Sequence, residues 1–528
     1  MVMRWRCGGD AVVMRWRCGG DAAAMRRQCG GNAAAREIRR GRRANGRRGS
    51  GACGTIQTNG GAMSTTTVAI IGAGFCGATL ATHLLRRPPV RPMRVLLINR
   101  SGAMARGVAY GTRALGHLLN VPAGRMSAVA GDDDDFYRYA SGRDPRVARG
   151  SFVPRRIYGD YLEARLTEAI EQAHAGIEFR SVVGSAVRIA PVDGGARGAI
   201  TMDGGAVIEA DRVVLSSGNE MRRDPFIAES QRKFYDSHAY VRDPWRPGAL
   251  RGIAPDTPVL LVGSGLTMMD VVLDLRARGH AAPIHVVSRH GLMPLAHREM
   301  DAPPSYDDRL AARMLARADV RHYVRAVRDA IRRGGDWRDV IGSLRAATPA
   351  LWRQLPSDER RRFLRHVRPY WDVHRHRCAP EPAARLQAEF ERGGVAAVAG
   401  RVTGYSEHPN GVGVTVRRRG AAVDERLEVG AVVNCTGPAP DFSARAGSLL
   451  GNLYADGLIV PDAIGMGFEI ADDGAVLDRD GSPSAWLRYV GPLLQARDWE
   501  ATAVPELRQY VQRLADTLLA PRDERALT

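Results

Sequence analysis

The sequence predicts an α/β fold with two Rossmann-like dinucleotide-binding domains and a mostly helical insert. Two observations indicate this architecture. An apolar strand followed by a glycine turn and a helix occurs twice, at residues 68–85 and 258–279. Between residues 305 and 393, by contrast, apolar side chains recur at helical spacing with Arg and Asp between them. A chain of 528 residues is long enough for two or three such domains.

The first glycine turn follows the apolar run 68–71 and carries Gly72, Gly74 and Gly77 in a GxGxxG pattern. Gly72 turns the chain off the strand, Gly74 lets backbone N–H groups approach a pyrophosphate, and Gly77 lets the helix pack close to the strand. Since a strand precedes the turn and a helix follows it, we expect a dinucleotide site rather than a plain strand–turn–helix. The next strand ends at Asn99, where an acidic residue usually binds the ribose. Asn99 is neutral, but it can still donate and accept hydrogen bonds.

Two loops with Gly or Pro follow, at 106–111 and 117–122, and Asn120 lies in the second. They are either surface turns or loops that lie over a bound cofactor. A helix is expected over 152–172. Short strands are expected at 177–179, 182–189 and 199–202, before a buried strand runs into Gly218.

The second glycine turn follows the strand 258–262 and carries Gly263 and Gly265, but Met268 replaces the third glycine. We therefore expect looser packing between this helix and its strand. The following strand ends at Ser288 and Arg289 instead of an acid. An acid would repel a 2′-phosphate, whereas Ser and Arg can bind it, so this site is expected to prefer NADPH. The alternative is that Arg289 is one more of 75 arginines.

The insert, residues 305–393, ends in a cluster of hydrogen-bond donors that includes His374, Arg375, His376 and Arg377. This cluster is either a solvated helix end or a patch that faces an anion or a substrate. Beyond it, short strands are expected at 395–398, at 402 and at 412–416. The strand 431–434 then runs into Gly437, as the earlier strand runs into Gly218. A further glycine, Gly491, precedes a helix expected from about 504 to 519.

The net charge of +19 suggests nucleic acid or a membrane surface as a partner, but its distribution argues against both. Residues 1–62 hold 13 Arg against three acids, or +10, which leaves 19 − 10 = +9 for the other 466 residues. That segment repeats with a period of 11 residues, and we expect it to be disordered or a translated upstream repeat, with Met63 as the natural start. No apolar stretch is long enough to span a membrane.

Cys76, Cys378 and Cys435 form no CxxC pair, so a disulfide scaffold, a zinc site and a dithiol reductase are not expected.

Several short stretches together resemble one known family. They are VAIIGAGFCG, RGVAYGT, HLLNVPAGRMSA, FVPRRIYGDYL, GSGLTMMD, WDVHRHRCAP and VVNCTGP. They resemble bacterial FAD/NAD(P)-binding proteins of the YdhS type, over residues 63–519. These are two-dinucleotide-binding-domain flavoproteins, similar in layout to flavin monooxygenases. The resemblance implies a discontinuous FAD domain at 63–225 and 430–528, an NAD(P) domain at 245–304 and 394–430, and the insert at 305–393.

The resemblance also implies roles for individual residues. Gly72, Gly74 and Gly77 would hold the FAD pyrophosphate and Asn99 its ribose, with Asn120, Gly437 and Gly491 also at the cofactors. Gly263, Gly265 and Arg289 would hold NADPH, with NADH as the alternative. Phe234, Ser237, His238 and Trp245 lie where some flavin monooxygenases carry an FxGxxxHxxxW fingerprint, although the spacing departs from it.

The expected activity is a cytoplasmic FAD-dependent, NAD(P)H-using oxidoreductase, a monooxygenase that uses O₂ to hydroxylate a small substrate. The insert would cap the site. His374, Arg375, His376 and Arg377 would bind an anionic substrate such as urate, or the nicotinamide nucleotide itself. The helix from Val504 would point its N-terminal dipole at the flavin. The alternatives are a non-catalytic or sensor flavoprotein and a simple NADPH-dependent reductase. No metal, nucleic-acid or membrane partner is expected.

Overall fold

The computed structural model describes residues 65–219, 223–299, 305–306, 309–437 and 447–521, together with two short strands near the N-terminus. Met1–Gln57 and Thr58–Thr528 form two separate units. In the first unit, strands β1 (Arg4–Cys7) and β2 (Asp10–Val13) pair as an antiparallel hairpin. The rest of the expected disordered segment, residues 1–62, lies outside the described residues.

The second unit contains sixteen described strands and fourteen described helices. The strands are β3 (Thr66–Ile71), β4 (Met93–Asn99), β5 (Ile177–Val183), β6 (Ala186–Val192), β7 (Arg197–Met202), β8 (Val207–Ala210), β9 (Arg212–Leu215), β10 (Tyr240–Val241), β11 (Val259–Val262), β12 (Ile284–Ser288), β13 (Val395–His408), β14 (Gly411–Arg418), β15 (Asp424–Val429), β16 (Ala431–Asn434), β17 (Ala475–Leu477) and β18 (Pro483–Tyr489). The helices are α1 (Phe75–Leu85), α2 (Gly107–Tyr110), α3 (Asp135–Ser141), α4 (Arg155–Glu171), α5 (Leu266–Ala277), α6 (Arg309–Leu315), α7 (Val320–Arg332), α8 (Trp337–Ser343), α9 (Thr348–Arg353), α10 (Ser357–His366), α11 (Arg368–Arg375), α12 (Pro380–Glu391), α13 (Leu449–Ala455) and α14 (Val504–Leu519).

The first large sheet has the strand order β17-β18-β9-β3-β4-β5, and all its pairs are parallel except β17–β18. Its central strands are apolar and buried, as expected when both faces of a parallel sheet are covered. Helix α1 packs against α4 and α14. The prediction of one continuous strand over 182–189 is wrong. The chain turns at Gly184, whose φ of +151° favours glycine, so β5 ends before it and β6 joins a separate three-stranded sheet with β7 and β8.

The second large sheet has the order β10-β16-β11-β12-β13-β14-β15. The strands from β10 to β13 are parallel neighbours, and β14 and β15 continue antiparallel. Strand β16 pairs with β11 here, so the expected domain boundary at residue 430 falls one strand too early. Helix α12 contributes Leu386 to the core of this sheet rather than to the insert, so the expected insert boundary at 393 falls too late.

Helices α6 to α11 form the insert around a core of their own, which includes Leu310, Val340 and Leu344. Local signals start two of these helices, since Asp319 accepts a hydrogen bond from His322 N–H and Asp336 accepts one from Arg338 N–H. The same core includes residues of the C-terminal segment, so the insert packs on the first domain.

Three negative findings apply to the described residues. No helix among them is long and apolar enough to cross a membrane. No group of His, Cys, Asp and Glu among them can hold a metal ion. Cys76, Cys378 and Cys435 are all buried, and none of them is in a disulfide.

Candidate functional site

A cavity of about 2050 Å³ lies where both large sheets, the insert and the start of α14 meet. This volume exceeds the roughly 300–1,000 Å³ of a typical small-molecule pocket and suits a dinucleotide together with a substrate. Eight of the sequence-predicted site residues line it: Asn120, Gly263, Gly265, Arg289, Gly437, Arg375, His376 and Arg377. The first glycine turn, Asn99, Gly491 and His374 do not line this cavity.

The first glycine turn is fixed by contacts with the end of the neighbouring strand. Gly72 has φ +104°, and a Cβ there would lie 2.6 Å from the Ser216 carbonyl oxygen. A Cβ on Gly77 would lie 1.9 Å from the Gly72 carbonyl oxygen. Both positions therefore need glycine for the protein's own packing.

Gly74 differs from its two neighbours in the motif. It has φ −78°, and a Cβ there would meet only Gly107 Cα, at 3.7 Å. Gly74 precedes α1 with no side-chain cap, so the first N–H groups of the helix are available to an anion. The protein itself leaves room at Gly74, and this cradle fits a pyrophosphate. At the end of the next strand, the Asn99 side-chain amide donates to the Ala103 carbonyl at 2.6 Å, so its own amide oxygen can accept from a ribose hydroxyl.

The second glycine turn reproduces this geometry. Gly263 has φ +109°, and a Cβ there would lie 2.7 Å from the Cys435 carbonyl oxygen, just as Gly72 meets Ser216. Gly265 has φ −83°, and a Cβ there would have no neighbour within 4 Å. Met268 is fully buried, so the helix start accommodates a whole side chain at the third glycine position. The second turn thus offers a second open cradle, at the cavity.

At the predicted 2′-phosphate site, Ser288 is engaged within the protein, whereas Arg289 is exposed. Ser288 Oγ lies 2.8 Å from Ser264 Oγ and accepts from Gly291 N–H at 3.1 Å, so this hydroxyl holds the loop together. Arg289 is exposed, and it lines the cavity together with His290 and Arg401. Burial and the neighbouring arginine charges lower the pKa of His290. Arg289 and Arg401 make no ion pair within the part of the chain that the structure describes. They form a concentration of positive charge beside the second glycine turn.

The other predicted cofactor residues fall at three different places. The Asn120 carbonyl oxygen lies 3.1 Å from His297 Nε2, which ties this loop to the second domain. Gly437 follows β16 in the second sheet, so it lies beside the second glycine turn and not in the first domain. Gly491 follows β18 in the first sheet, where a Cβ would lie 2.6 Å from the Tyr489 hydroxyl.

Glu500 is the common partner of the predicted donor cluster, and sequence reasoning missed it. Its carboxylate is 1% exposed and accepts from Trp371 Nε1–H at 2.7 Å. Arg375 Nε lies 3.3 Å and His376 Nε2 lies 3.6 Å from its two oxygens. Glu500 also has φ +78°, a strained value for a residue with a side chain. These contacts hold the end of the insert against the residues that precede α14.

The pKa values of Glu500 and Asp372, the two acids of this cluster, shift in opposite directions. Burial would raise the pKa of Glu500, but His376, Arg375 and the Trp371 hydrogen bond lower it below its usual value. Burial raises the pKa of Asp372, which outweighs the opposing His376 and Arg368 charges. His374 is the exception in the predicted cluster. It bonds the Tyr370 carbonyl and packs on the Trp337 ring, so the expectation that it faces the substrate is wrong.

Two further ion pairs join the insert to the C-terminal segment. Arg353 Nε donates to the buried Asp498 at 2.5 Å, and Arg345 Nε donates to Glu506 at 2.5 Å. Trp352 also donates to the Ala496 carbonyl at 2.9 Å. The insert is therefore fastened over the N-terminus of α14, whose residues 504–506 line the cavity. No sequence periodicity indicated these long-range partners.

The four residues at the monooxygenase-fingerprint positions do not form one site. Phe234 stacks on Tyr405 at 4.1 Å in a hydrophobic core, and His238 is exposed. Ser237 bonds Glu407. Trp245 lies 5.5 Å from the His117 ring. The departure from the fingerprint spacing thus goes with four residues that lie in different surroundings.

Trp245 instead belongs to a junction between the two domains. Arg155, at the start of α4, lies 5.5 Å from the Trp245 ring and 2.9 Å from Asp270 on α5. The two charged side chains are 14% and 4% exposed. This buried ion pair links a helix of the first domain to a helix of the second.

The comparisons with known proteins agree with this architecture. Residues 69–220 match the FAD-NAD(P)-binding family. A stretch of 125 residues is 34% identical to the L-aspartate N-monooxygenase (nitrosuccinate-forming) of Streptomyces cremeus, and it spans 23% of this chain and only 18% of that protein.

Two solved structures share the fold over most of the chain. The ornithine N-hydroxylase of Kutzneria sp. 744 has a TM-score of 0.58 at 16% identity, covering 88% of this chain and 100% of that one. The L-lysine 6-monooxygenase of Pseudomonas syringae has a TM-score of 0.58 at 17% identity, covering 87% and 99%. The predicted fold class and FAD/NAD(P)-binding domain are thus confirmed, and these two solved structures share the fold.

Proposed function

We propose that this chain is an FAD- and NADPH-dependent N-monooxygenase that transfers one oxygen atom from O₂ to the primary amine of an amino acid. The observation that carries the proposal is the pair of matching glycine turns, each with one glycine where a Cβ would find open space or an ordinary contact, together with the large cavity beside the insert. The fold similarity to ornithine and lysine hydroxylases and the local identity to an L-aspartate N-monooxygenase support the reaction class. An amino acid thereby replaces the urate-like substrate expected from the sequence.

In this proposal FAD lies at the first glycine turn. Gly74 and the first N–H groups of α1 would hold the pyrophosphate, and the Asn99 amide oxygen would accept from the ribose. The N-terminus of α14 would place positive dipole charge beside the isoalloxazine ring. When bound, the flavin supplies hydride acceptance and O₂ activation.

NADPH would lie at the second glycine turn. Gly265 and the first N–H groups of α5 would hold its pyrophosphate. Arg289, with Arg401 nearby, would bind the 2′-phosphate. The similar ornithine N-hydroxylase structure contains reduced FAD and NADP⁺, which is consistent with this pairing of cofactors.

The residues of the chain itself would orient the substrate and exclude water. The Glu500, Arg353 and Arg345 contacts fasten the insert over the cavity. A covered site keeps bulk water from an activated oxygen species and strengthens every charge interaction inside. A simple reductase has no need of such a cover. Cys76, Cys378 and Cys435 lie far apart in the sequence and form no CxxC pair, which argues against a dithiol reductase.

The direct test uses the full-length chain purified with FAD. NADPH should bleach its visible flavin spectrum without O₂, and air with a suitable amino acid should yield an N-hydroxylated product. A colourless protein that does not bind added FAD would refute the flavoprotein assignment. A yellow protein that NADPH cannot bleach would favour a sensor. Peroxide as the sole product, with every amino acid tried, would favour a reductase.

A further inference from the structure

The cavity wall carries a large excess of positive charge. Twelve arginines line it against five Asp or Glu residues. Among the described residues, carboxylates pair with Arg298, Arg345, Arg368, Arg375 and Arg508. Arg125, Arg223 and Arg377 have interactions of their own. Arg289 and Arg401 lie at the second glycine turn, where the proposed NADPH phosphates account for them. The insert presents a further arginine that none of these explanations covers.

That residue is Arg338, near the start of α8. Its Nε and Nη2 lie 3.4 and 3.3 Å from the Ala296 carbonyl oxygen, and its guanidinium stacks 4.4 Å from the centre of the Trp337 ring. It makes no ion pair within 4 Å among the residues that the structure describes. Partial burial lowers the pKa of Arg338, and the carboxylates of Asp336 and Asp339, which pair with Arg298, only partly oppose this effect. A planar guanidinium in this state is suited to binding a carboxylate through two parallel hydrogen bonds.

The surroundings of Arg338 connect the insert with the loop that follows β12. Ala296, its backbone partner, precedes His297, which reaches the carbonyl of Asn120 in the loop of the first domain. Arg377, which also lines the cavity, lies 5.8 Å from the same Trp337 ring. Two guanidinium groups thus lie beside Trp337, and both line the cavity.

We propose that Arg338 and Arg377 bind a carboxylate of the substrate, and that this substrate is an acidic amino acid rather than a diamine or a basic amino acid. This proposal rests on the proposed N-monooxygenase activity. A basic amino acid or a diamine would bring a second cationic end into a wall that already holds twelve arginines. An acidic amino acid brings two carboxylates and one amine. The charge balance of the wall therefore favours a substrate of net negative charge.

The test compares substrates and variants of the full-length, FAD-loaded protein. L-aspartate and L-glutamate should be N-hydroxylated with a kcat/KM at least about tenfold above L-ornithine, L-lysine and cadaverine, and succinate should compete. Arg338→Ala should raise the KM for the acidic substrate roughly ten- to a hundredfold, with the KM for NADPH within about twofold. Arg338→Lys should restore part of the loss because the charge remains. Arg332→Ala is the matched control, since Arg332 lies on the insert surface paired with Asp329, and it should change neither constant.

The outcomes separate the two proposals. A preference for L-ornithine or L-lysine would overturn the acidic-substrate inference and leave the N-monooxygenase proposal intact. A selective rise in the KM for NADPH in Arg338→Ala would also overturn it, because Arg338 would then bind the cofactor. If no amine is oxidised, the proposed function fails. Calorimetric binding of succinate that Arg338→Ala abolishes would then still support the carboxylate site, and no binding to the wild type would refute it.

Discussion

Gly74→Ala separates a role in cofactor binding from a role in folding. The backbone at Gly74 has φ −78°, and the new Cβ would meet only Gly107 Cα at an ordinary 3.7 Å. We therefore expect the free energy of unfolding of the apoprotein to change by less than about 1 kcal/mol. The methyl group would nevertheless occupy the space through which a pyrophosphate approaches the helix N-terminus. Losing one such charge-assisted hydrogen bond costs about 1.5–3 kcal/mol, so the Kd for FAD should rise roughly ten- to 150-fold.

The assay for Gly74→Ala is FAD titration of the apoprotein by fluorescence, with urea unfolding of the same apoprotein as the stability measurement. Gly204→Ala is the matched control, because a Cβ there has no neighbour within 4 Å and the residue lies in an exposed turn far along the chain. It should change neither quantity. An unchanged Kd for FAD in Gly74→Ala would refute the placement of the pyrophosphate at this turn.

Three further predictions test the other parts of the site. Gly265→Ala, whose Cβ also has no neighbour within 4 Å, should raise the KM for NADPH at least about tenfold while FAD binding stays unchanged, as measured by steady-state kinetics and FAD titration. Arg289→Ala should raise the KM for NADPH but not for NADH, and an equal effect on both would show that Arg289 does not bind the 2′-phosphate. Glu500→Gln leaves Arg375 and His376 without their buried counter-charge and should cost about 3 kcal/mol in urea unfolding at pH 7. The pKa of Glu500 is lower in the folded state than in the unfolded state, so its charge stabilises the fold above the unfolded pKa of about 4.3. That stability is lost as the pH falls through the folded pKa. A stability difference between wild type and Glu500→Gln that does not shrink at low pH would contradict this reasoning.

The parts of the fold that sequence reasoning found are those with a local cause. Both strand–glycine–helix units form where the glycine spacing indicated, and α14 spans 504–519 as expected. The errors concern how strands assemble. An apolar run crosses Gly184, and only the backbone conformation there shows that it is two strands in different sheets. The short strand at 431–434 similarly gives no sign in its own sequence of the sheet it joins.

The candidate site shows the same division. The open cradles at Gly74 and Gly265 were recognisable, because their chemistry depends on residues close together in the chain. Glu500 was not, since it acquires its role from Trp371 and Arg375, more than a hundred residues away. The donor cluster was recognised as a group, but only Arg375, His376 and Arg377 line the cavity, whereas His374 packs on Trp337 and does not. Contacts of this kind depend on tertiary packing.

The most direct test of the N-monooxygenase proposal follows the oxygen atom itself. The FAD-loaded protein is supplied with NADPH, oxygen gas enriched in oxygen-18 and, in separate reactions, L-aspartate, L-glutamate, L-ornithine or L-lysine, and the products are analysed by mass spectrometry. An N-monooxygenase places one labelled oxygen on the substrate nitrogen for each NADPH oxidised. Labelled hydrogen peroxide with every amino acid returned unchanged would contradict the proposed activity.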